Sequence, residues 1–277
     1  MFPGIYGFAW DAGHIIFLGV FYTVVAVVVT TLVRAAVRAR VDVKAGRIEE
    51  LRWHAAFAEL PSSSRRCRHE LSGEVADRAC ENRFDCRDCA AHAEFVAKRS
   101  AAVRALPGGQ TVAGFELPAG RLYHRGHTWV AEAPGGTLWV GLDDLGAHLV
   151  GAPDELDLPP VGARLAGNGT AWRVRKNGIS IRVLAPVDGE VVAVGGPDLG
   201  WYLRILPDGG EPDVRNLLSA AEARPWLLRE VERMQIALAD EAVGAALADG
   251  GAPVEDLSKV ISPRELDEVC GMVFLEP

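Results

Sequence analysis

The sequence predicts an α+β protein, on three observations. A long apolar run lies near the N-terminus, four cysteines crowd into 23 residues, and short β-like runs follow between Gly, Pro and Asp turns. The expected order is an N-terminal transmembrane helix, a small cysteine-rich metal module, a β domain and C-terminal helices. A chain of 277 residues has room for one medium domain plus attachments. With 24% charged and 49% hydrophobic residues, most of it should fold. A net charge of −8 and a pI near 5.4 argue against a nucleic-acid binder.

Residues 15–33 run 19 positions without a charge. As a helix they cover roughly 28 Å, the thickness of a bilayer core. A cleaved signal peptide fits poorly, because Asp11 precedes the run, no Lys or Arg does, and no small-residue cleavage site follows. A buried core helix would show a polar face, and none appears. Arg34, Arg38, Arg40 and Lys44 follow the run. The positive-inside rule then places residues 1–14 outside and everything after residue 34 in the cytosol, as a single-pass inner-membrane protein with reduced thiols.

Residues 34–60 stay helix-friendly and are expected to continue the span as a stalk, ended by Pro61 and the serines after it. The cysteine module is expected over 61–106, closing with a short helix over 94–106. A β domain with a helical extension follows over 112–235, its helical pattern running over 214–247. A helical tail over 236–277 includes a helix that starts at Ser262-Pro263, a good N-cap with proline at the first helical position.

Cys67, Cys80, Cys86 and Cys89 have the spacing C-x12-C-x5-C-x2-C. The closing C-x-x-C lets two thiolates meet one ion from a single turn, and the longer loop returns the other two. Thiolates favour zinc or an iron–sulfur cluster over hard cations, and the closely spaced cysteine runs of ferredoxins are absent. Arg65, Arg66, Arg68, Arg78, Arg83 and Arg87 surround the cysteines, and their charge would help to balance a four-thiolate site. Disulfides and free structural thiols are the competing readings. His69 and His92 are alternative ligands, expected as surface or outer residues. Cys270 reads as a small buried hydrophobe.

Five motifs in order then carry a resemblance. Tyr123-His124-Arg125-Gly126-His127-Thr128-Trp129-Val130, Val140-Gly141-Leu142-Asp143-Asp144-Leu145-Gly146, Leu158-Pro159-Pro160-Val161-Gly162, Ala185-Pro186-Val187-Asp188-Gly189-Glu190-Val191-Val192 and Gly200-Trp201-Tyr202-Leu203-Arg204-Ile205 resemble the glycine cleavage system H-protein, a relative of lipoyl carrier domains. The resemblance covers residues 121–230. It implies a lipoyl-domain-like flattened β-barrel or sandwich of two small sheets. It also implies lipoate on a lysine at a hairpin tip, shuttling an aminomethyl group between partner enzymes.

This chain departs from the family at that tip. The family's lysine lies seven residues before the serine of its S-P-V-S-G motif, and the matching position here is Gly178. Lys176 is nine residues before Ala185, and Val174 and Arg175 stand where the family has an acidic residue. Asn177-Gly178 is a strong type I′ turn signal, a geometry that disfavours lysine. Lys176 is therefore expected as an exposed strand-end residue, and lipoate is not expected on it. Arg173, Arg175, Lys176 and Arg182 would make either a basic docking patch or an ordinary solvated hairpin. Trp129, Trp139, Trp172 and Trp201 are expected in core packing. His124, His127 and His148 match no catalytic or metal spacing.

No nucleophile–base arrangement, phosphate loop or pair of acids is visible, so no catalytic residues are assigned. The expected protein is a membrane-anchored, non-catalytic accessory or scaffold subunit of a redox or electron-transfer assembly. It docks a cytosolic or membrane protein and has a four-cysteine metal site. The alternative is a genuine lipoyl carrier, lipoylated on Lys176.

Overall fold

A computed structural model of the chain describes residues 10–44, 47–98, 110–238, 254 and 256–276. The chain divides into two compact units, residues 1–48 and 49–277.

The first unit is built on α1 (Ala12–Lys44), a continuous helix of 33 residues. Its most apolar window has mean hydropathy 2.5, and none of that window is buried. By length and composition α1 can cross a membrane. Its hydroxyls suit that setting, because Thr23 and Thr31 donate to Gly19 O and Val28 O at 2.7 and 2.8 Å and need no water.

The second unit is an α+β sandwich. A hairpin pairs β1 (Gln110–Val112) with β2 (Phe115–Leu117). Seven strands form the large sheet: β3 (Leu122–His124), β4 (Thr128–Ala133), β5 (Thr137–Leu142), β7 (Arg164–Leu165), β10 (Gly189–Gly196), β11 (Trp201–Pro207) and β12 (Leu218–Ser219). They are antiparallel in the order β12-β3-β4-β5-β11-β10-β7. A three-stranded sheet joins β6 (Glu155–Asp157), β8 (Thr170–Lys176) and β9 (Ile179–Leu184). Alternation along the strands turns Val140, Leu203 and Ile205 of the large sheet and Trp172, Val174 and Ile181 of the small one into a common core. Trp172 and Tyr202 stack across the two sheets with ring centroids 4.9 Å apart.

The helices close this core. Asp143 caps α5 (Asp144–Val150) by accepting from Gly146 N at 2.8 Å. α6 (Ala220–Ala237) begins six residues later than the expected position 214, because Ser219 and Glu222 form a capping box there. The expected positions 239–247 lie outside the described residues. α7 (Pro263–Val273) starts at the predicted Ser262 cap and buries Leu266, Val269, Cys270 and Val273 in the main core.

α2 (Arg47–Glu59) was expected as stalk, but Trp53, Phe57 and Leu60 pack with Phe84, Leu184 and Leu275 in a second apolar cluster. Trp53 also donates its indole N–H to Arg83 O at 3.0 Å, and Glu49 accepts from the Thr170 amide and hydroxyl. In the cysteine segment, α3 (Arg68–Leu71) and α4 (Ala90–Lys98) are its helices. α4 meets the expected helix over 94–106 as far as Lys98, and positions 99–106 lie outside the described residues.

Candidate functional site

The hairpin β8–β9 pairs Lys176 with Ile179 and Arg175 with Ser180. Asn177 and Gly178 form the two-residue turn with φ of 51° and 82°, the left-handed pair that a type I′ turn requires. A side chain at Gly178 would meet nothing within 4 Å, so the tip faces open space.

Lys176 does not share that openness, which corrects the expectation of an exposed lysine. It is only 6% exposed. Its ammonium donates to Ala152 O at 2.5 Å and lies 3.5 Å from Asp256 Oδ2. Burial pushes the Asp256 carboxyl up. Hydrogen bonds from Ser258 and Lys259, with the charges of Lys176 and Lys259, outweigh this and hold it below the usual carboxylate range. Gly151 makes room for the carboxylate: it sits at φ 56°, and a Cβ there would fall 2.2 Å from Asp256 Cγ. The same tail segment holds the turn, since Asn177 Nδ2 donates to Ser258 O at 2.9 Å. The signal for this was present in the sequence. Period two places Lys176 on the face of Trp172 and Val174, which is the buried one.

The basic patch does not form either. Arg175 pairs with Glu155 at 2.8 Å, while Arg182 is 1% exposed with Nε 3.4 Å from Glu276. Burial pushes Arg182 below its ordinary range, against the pull of Glu276 and Glu49. These residues do not fit a lipoyl arm. Where the family pattern has its lysine there is a glycine, and the nearest amine is enclosed by a carbonyl and a carboxylate. Acylating Lys176 would remove its charge and force an arm into packed structure.

The cysteine segment is folded onto the sandwich. An isolated bridge between Arg66 and Ala79 sets the backbones of Cys67 and Cys80 side by side, with Cys67 N donating to Arg78 O and Cys80 N to Arg65 O. Cys86 N donates to Asn216 Oδ1 at 2.7 Å, and Cys89 N to Cys86 O at 3.4 Å. All four cysteines carry free thiols. The Cys80 sulfur accepts the Phe84 amide at 3.3 Å, a bond made possible by left-handed backbone at Arg83 and Phe84. Among the described residues, no three His, Cys, Asp or Glu side chains gather closely enough to hold a metal ion.

The arginines near the cysteines in sequence are largely engaged elsewhere. Arg68 binds Leu217 O and Glu222, Arg66 binds Glu70, and Arg87 binds Asp85 and Asp188. Arg125, from the β domain, also reaches the cysteine segment, a contact that its place in the sequence does not reveal. It is 8% exposed, its guanidinium lies 3.4 Å over the Phe84 ring, and it donates to Arg66 O at 2.9 Å. Burial pushes its pKa down, and the opposing pull comes first from Cys80, Cys86 and Cys67. For Cys86 burial dominates, raising the thiol to about 11 against Arg125 and Arg68.

His69 and His92 are buried rather than on the surface. His69 Nε2 is 3.0 Å from His92 Nδ1, and its other nitrogen contacts Glu74. His127 Nδ1 bonds Asp143 at 2.8 Å, His124 Nε2 bonds Asn168 at 2.9 Å, and His148 binds Asp144 O within α5. These contacts frame the fold. Trp129 and Trp172 lie in the core, while Trp139 and Trp201 pack against its edge with ring centroids 4.5 Å apart.

No family model matches the chain. It is similar to the glycine cleavage system H protein of Neisseria meningitidis serogroup C, with 32% identity over 119 residues, 38% of this chain and 92% of that protein. It is also similar to the glycine cleavage system H protein of Micrococcus luteus, with 33% identity over 134 residues, 48% of this chain and 91% of that protein. A solved structure of a glycine cleavage system H protein from Mycobacterium marinum is 24% identical, over 39% of this chain and 95% of that one, with a TM-score of 0.34.

Proposed function

The chain belongs to the glycine cleavage system H-protein family, and from that premise we propose that it is a membrane-anchored accessory subunit whose carrier fold works without a lipoyl arm. The observation that carries this reading is the enclosure of Lys176 by Ala152 O and Asp256 beside an exposed Gly178 tip. A swinging arm needs an amine free to project from the turn, and this hairpin has none.

α1 supports the anchor, and the basic residues Arg34, Arg38, Arg40 and Lys44 support a cytosolic body. The fold then serves as a docking platform for a cytosolic or membrane protein. The four thiols support a redox or electron-transfer assembly as the setting, with zinc or an iron–sulfur centre at Cys67, Cys80, Cys86 and Cys89. Nothing in the site supplies a nucleophile with a base, so the subunit is assigned no reaction of its own.

Intact mass of the chain from cells with an active lipoylation system tests the reading. The unmodified mass is expected. An added lipoyl group of about 188 Da that disappears in a Lys176→Ala variant would return the chain to the carriers.

A further inference from the structure

A cavity of about 340 Å³ opens between α6, the chain that follows α2 and the turn joining β3 to β4. Four guanidiniums line it, those of Arg66, Arg125, Arg229 and Arg233, and they are not equivalent. Arg229 gives its nitrogens to the Glu70 carboxylate and to the carbonyls of Glu70, Leu71 and Pro225. Arg66 shares the same carboxylate at 2.6 Å. Arg233 is divided between Glu230 at 2.9 Å and the Ser64 hydroxyl at 2.8 Å. Arg125 is the exception. It is 8% exposed, its Nη1 donates to Arg66 O at 2.9 Å, and among the described residues no carboxylate lies within ion-pair distance of it.

Three carboxylates, Glu70, Glu230 and Glu232, stand against these four guanidiniums, so one positive charge is in excess, and the cation left over is a buried one. A buried charge without a counterion is costly, and the cost falls where an anion from solution can reach it. Arg125 lines the cavity, so it can be reached. A guanidinium carries five N–H donors in a fork that matches a carboxylate, and the bond to Arg66 O uses one nitrogen. Ser64 adds a hydroxyl whose oxygen accepts from Arg233 and whose own proton can still be donated. The rest of the wall is apolar, formed by Leu71, Trp226 and Ile236. The volume falls at the lower end of small-molecule sites, which begin near about 300 Å³. We propose that this cavity binds a small organic monocarboxylate, with its carboxylate on Arg125 and its apolar body against Leu71, Trp226 and Ile236. One negative charge cancels the excess. A dianion such as phosphate would bring surplus negative charge beside Glu230 and Glu232. Neither the hairpin tip nor the cysteines enter this site, so it goes beyond the proposed function and does not depend on it.

The test is calorimetric titration of the full chain in detergent with phenylacetate, with its neutral counterpart phenylacetamide, and with inorganic phosphate. Saturable binding of phenylacetate is expected, with phenylacetamide and phosphate each weaker by about 10-fold or more. Arg125→Gln is expected to weaken phenylacetate binding by about 10-fold or more, and Arg125→Lys, which keeps the charge without the fork, by less. Circular dichroism checks that these variants are folded. Ile236 is 69% exposed at the cavity wall, so Ile236→Glu tests the site without touching the core. It is expected to weaken phenylacetate binding by about 3-fold or more through like-charge repulsion. No saturable binding of phenylacetate up to about 10 mM would overturn the site. Equal binding of phenylacetamide would overturn the need for an anion, and tighter binding of phosphate would overturn the monocarboxylate. Unchanged affinity in a folded Arg125→Gln would overturn the role of Arg125. Should that variant fail to fold, unchanged affinity in Ile236→Glu would overturn the placement.

Discussion

Lys176 and Arg125 are both buried cations on the same sandwich, and they are treated in opposite ways. Lys176 meets a carbonyl and a carboxylate, both supplied by the chain. Arg125 meets an aromatic ring and a carbonyl, and among the described residues no carboxylate lies within ion-pair distance of it. A cation that arrives with its anion closes a site. A cation seated on an aromatic ring and a carbonyl is held by packing and one hydrogen bond instead. The difference separates the hairpin, where the family's activity would be sought, from the cysteine segment, which lies outside the motifs of residues 121–230.

The largest expected effect comes from removing the carboxylate. Asp256→Ala leaves Lys176 buried with only Ala152 O and should cost about 3–5 kcal/mol in chemical denaturation. The double variant Lys176→Met, Asp256→Leu should recover most of that loss. An unchanged single variant would mean that Lys176 does not depend on Asp256, and the contrast with Arg125 would collapse.

Acid pH probes a buried group held by hydrogen bonding alone. Burial lowers His124 from 6.5 to about 4, despite the bond to Asn168. The unfolded chain then binds a proton that the folded chain refuses. Stability from this group is complete above the unfolded value of 6.5 and is lost as pH falls from there toward about 4. The expected loss is a few kcal/mol, and His124→Gln should flatten that part of the stability–pH profile. Asp256, also lowered, contributes stability that is full above its ordinary value of 3.8 and is lost below it, so the two windows are distinct.

Gly151→Ala sharpens the comparison by displacing the carboxylate from its seat without removing it. The new Cβ meets Asp256 and adopts a left-handed φ, for an expected loss of about 1–3 kcal/mol. The smallest change in stability is expected from Gly178→Lys, which places an amine at the open tip at a cost of about 1 kcal/mol. Its value lies in reactivity. A mild amine-acylating reagent followed by peptide mass mapping should label the introduced amine at the tip rapidly and native Lys176 slowly. Equal labelling would show that Lys176 is not enclosed.

Local patterns that carry their own physics were legible in the sequence. The apolar run of α1, the Asn177-Gly178 turn, the Ser262 cap and the family motifs of the strands each depend on neighbouring residues and emerge as read. The state of Lys176 was half legible: its alternation with Trp172 and Val174 pointed inward, but Ala152 and Asp256 lie 24 and 80 residues away. Arg68 and Arg87 looked like partners of the cysteines because they adjoin them, yet their carboxylates Glu222 and Asp188 come from the β domain.

By itself, then, the sequence determined that a membrane-length helix, a cysteine cluster and an H-protein fold occur in one chain, and that a glycine stands where the fold's lysine would be. Periodicity, turn chemistry and motif order are short-range properties, so they survive without coordinates. Only the tertiary structure decided which charges are neutralised. The segment ahead of α7 brings Asp256 to Lys176, and the Tyr123–His127 segment brings Arg125 to Arg66 O and the Phe84 ring. Ion pairing depends on distances of a few ångströms between residues far apart in the chain, and those distances exist only after folding.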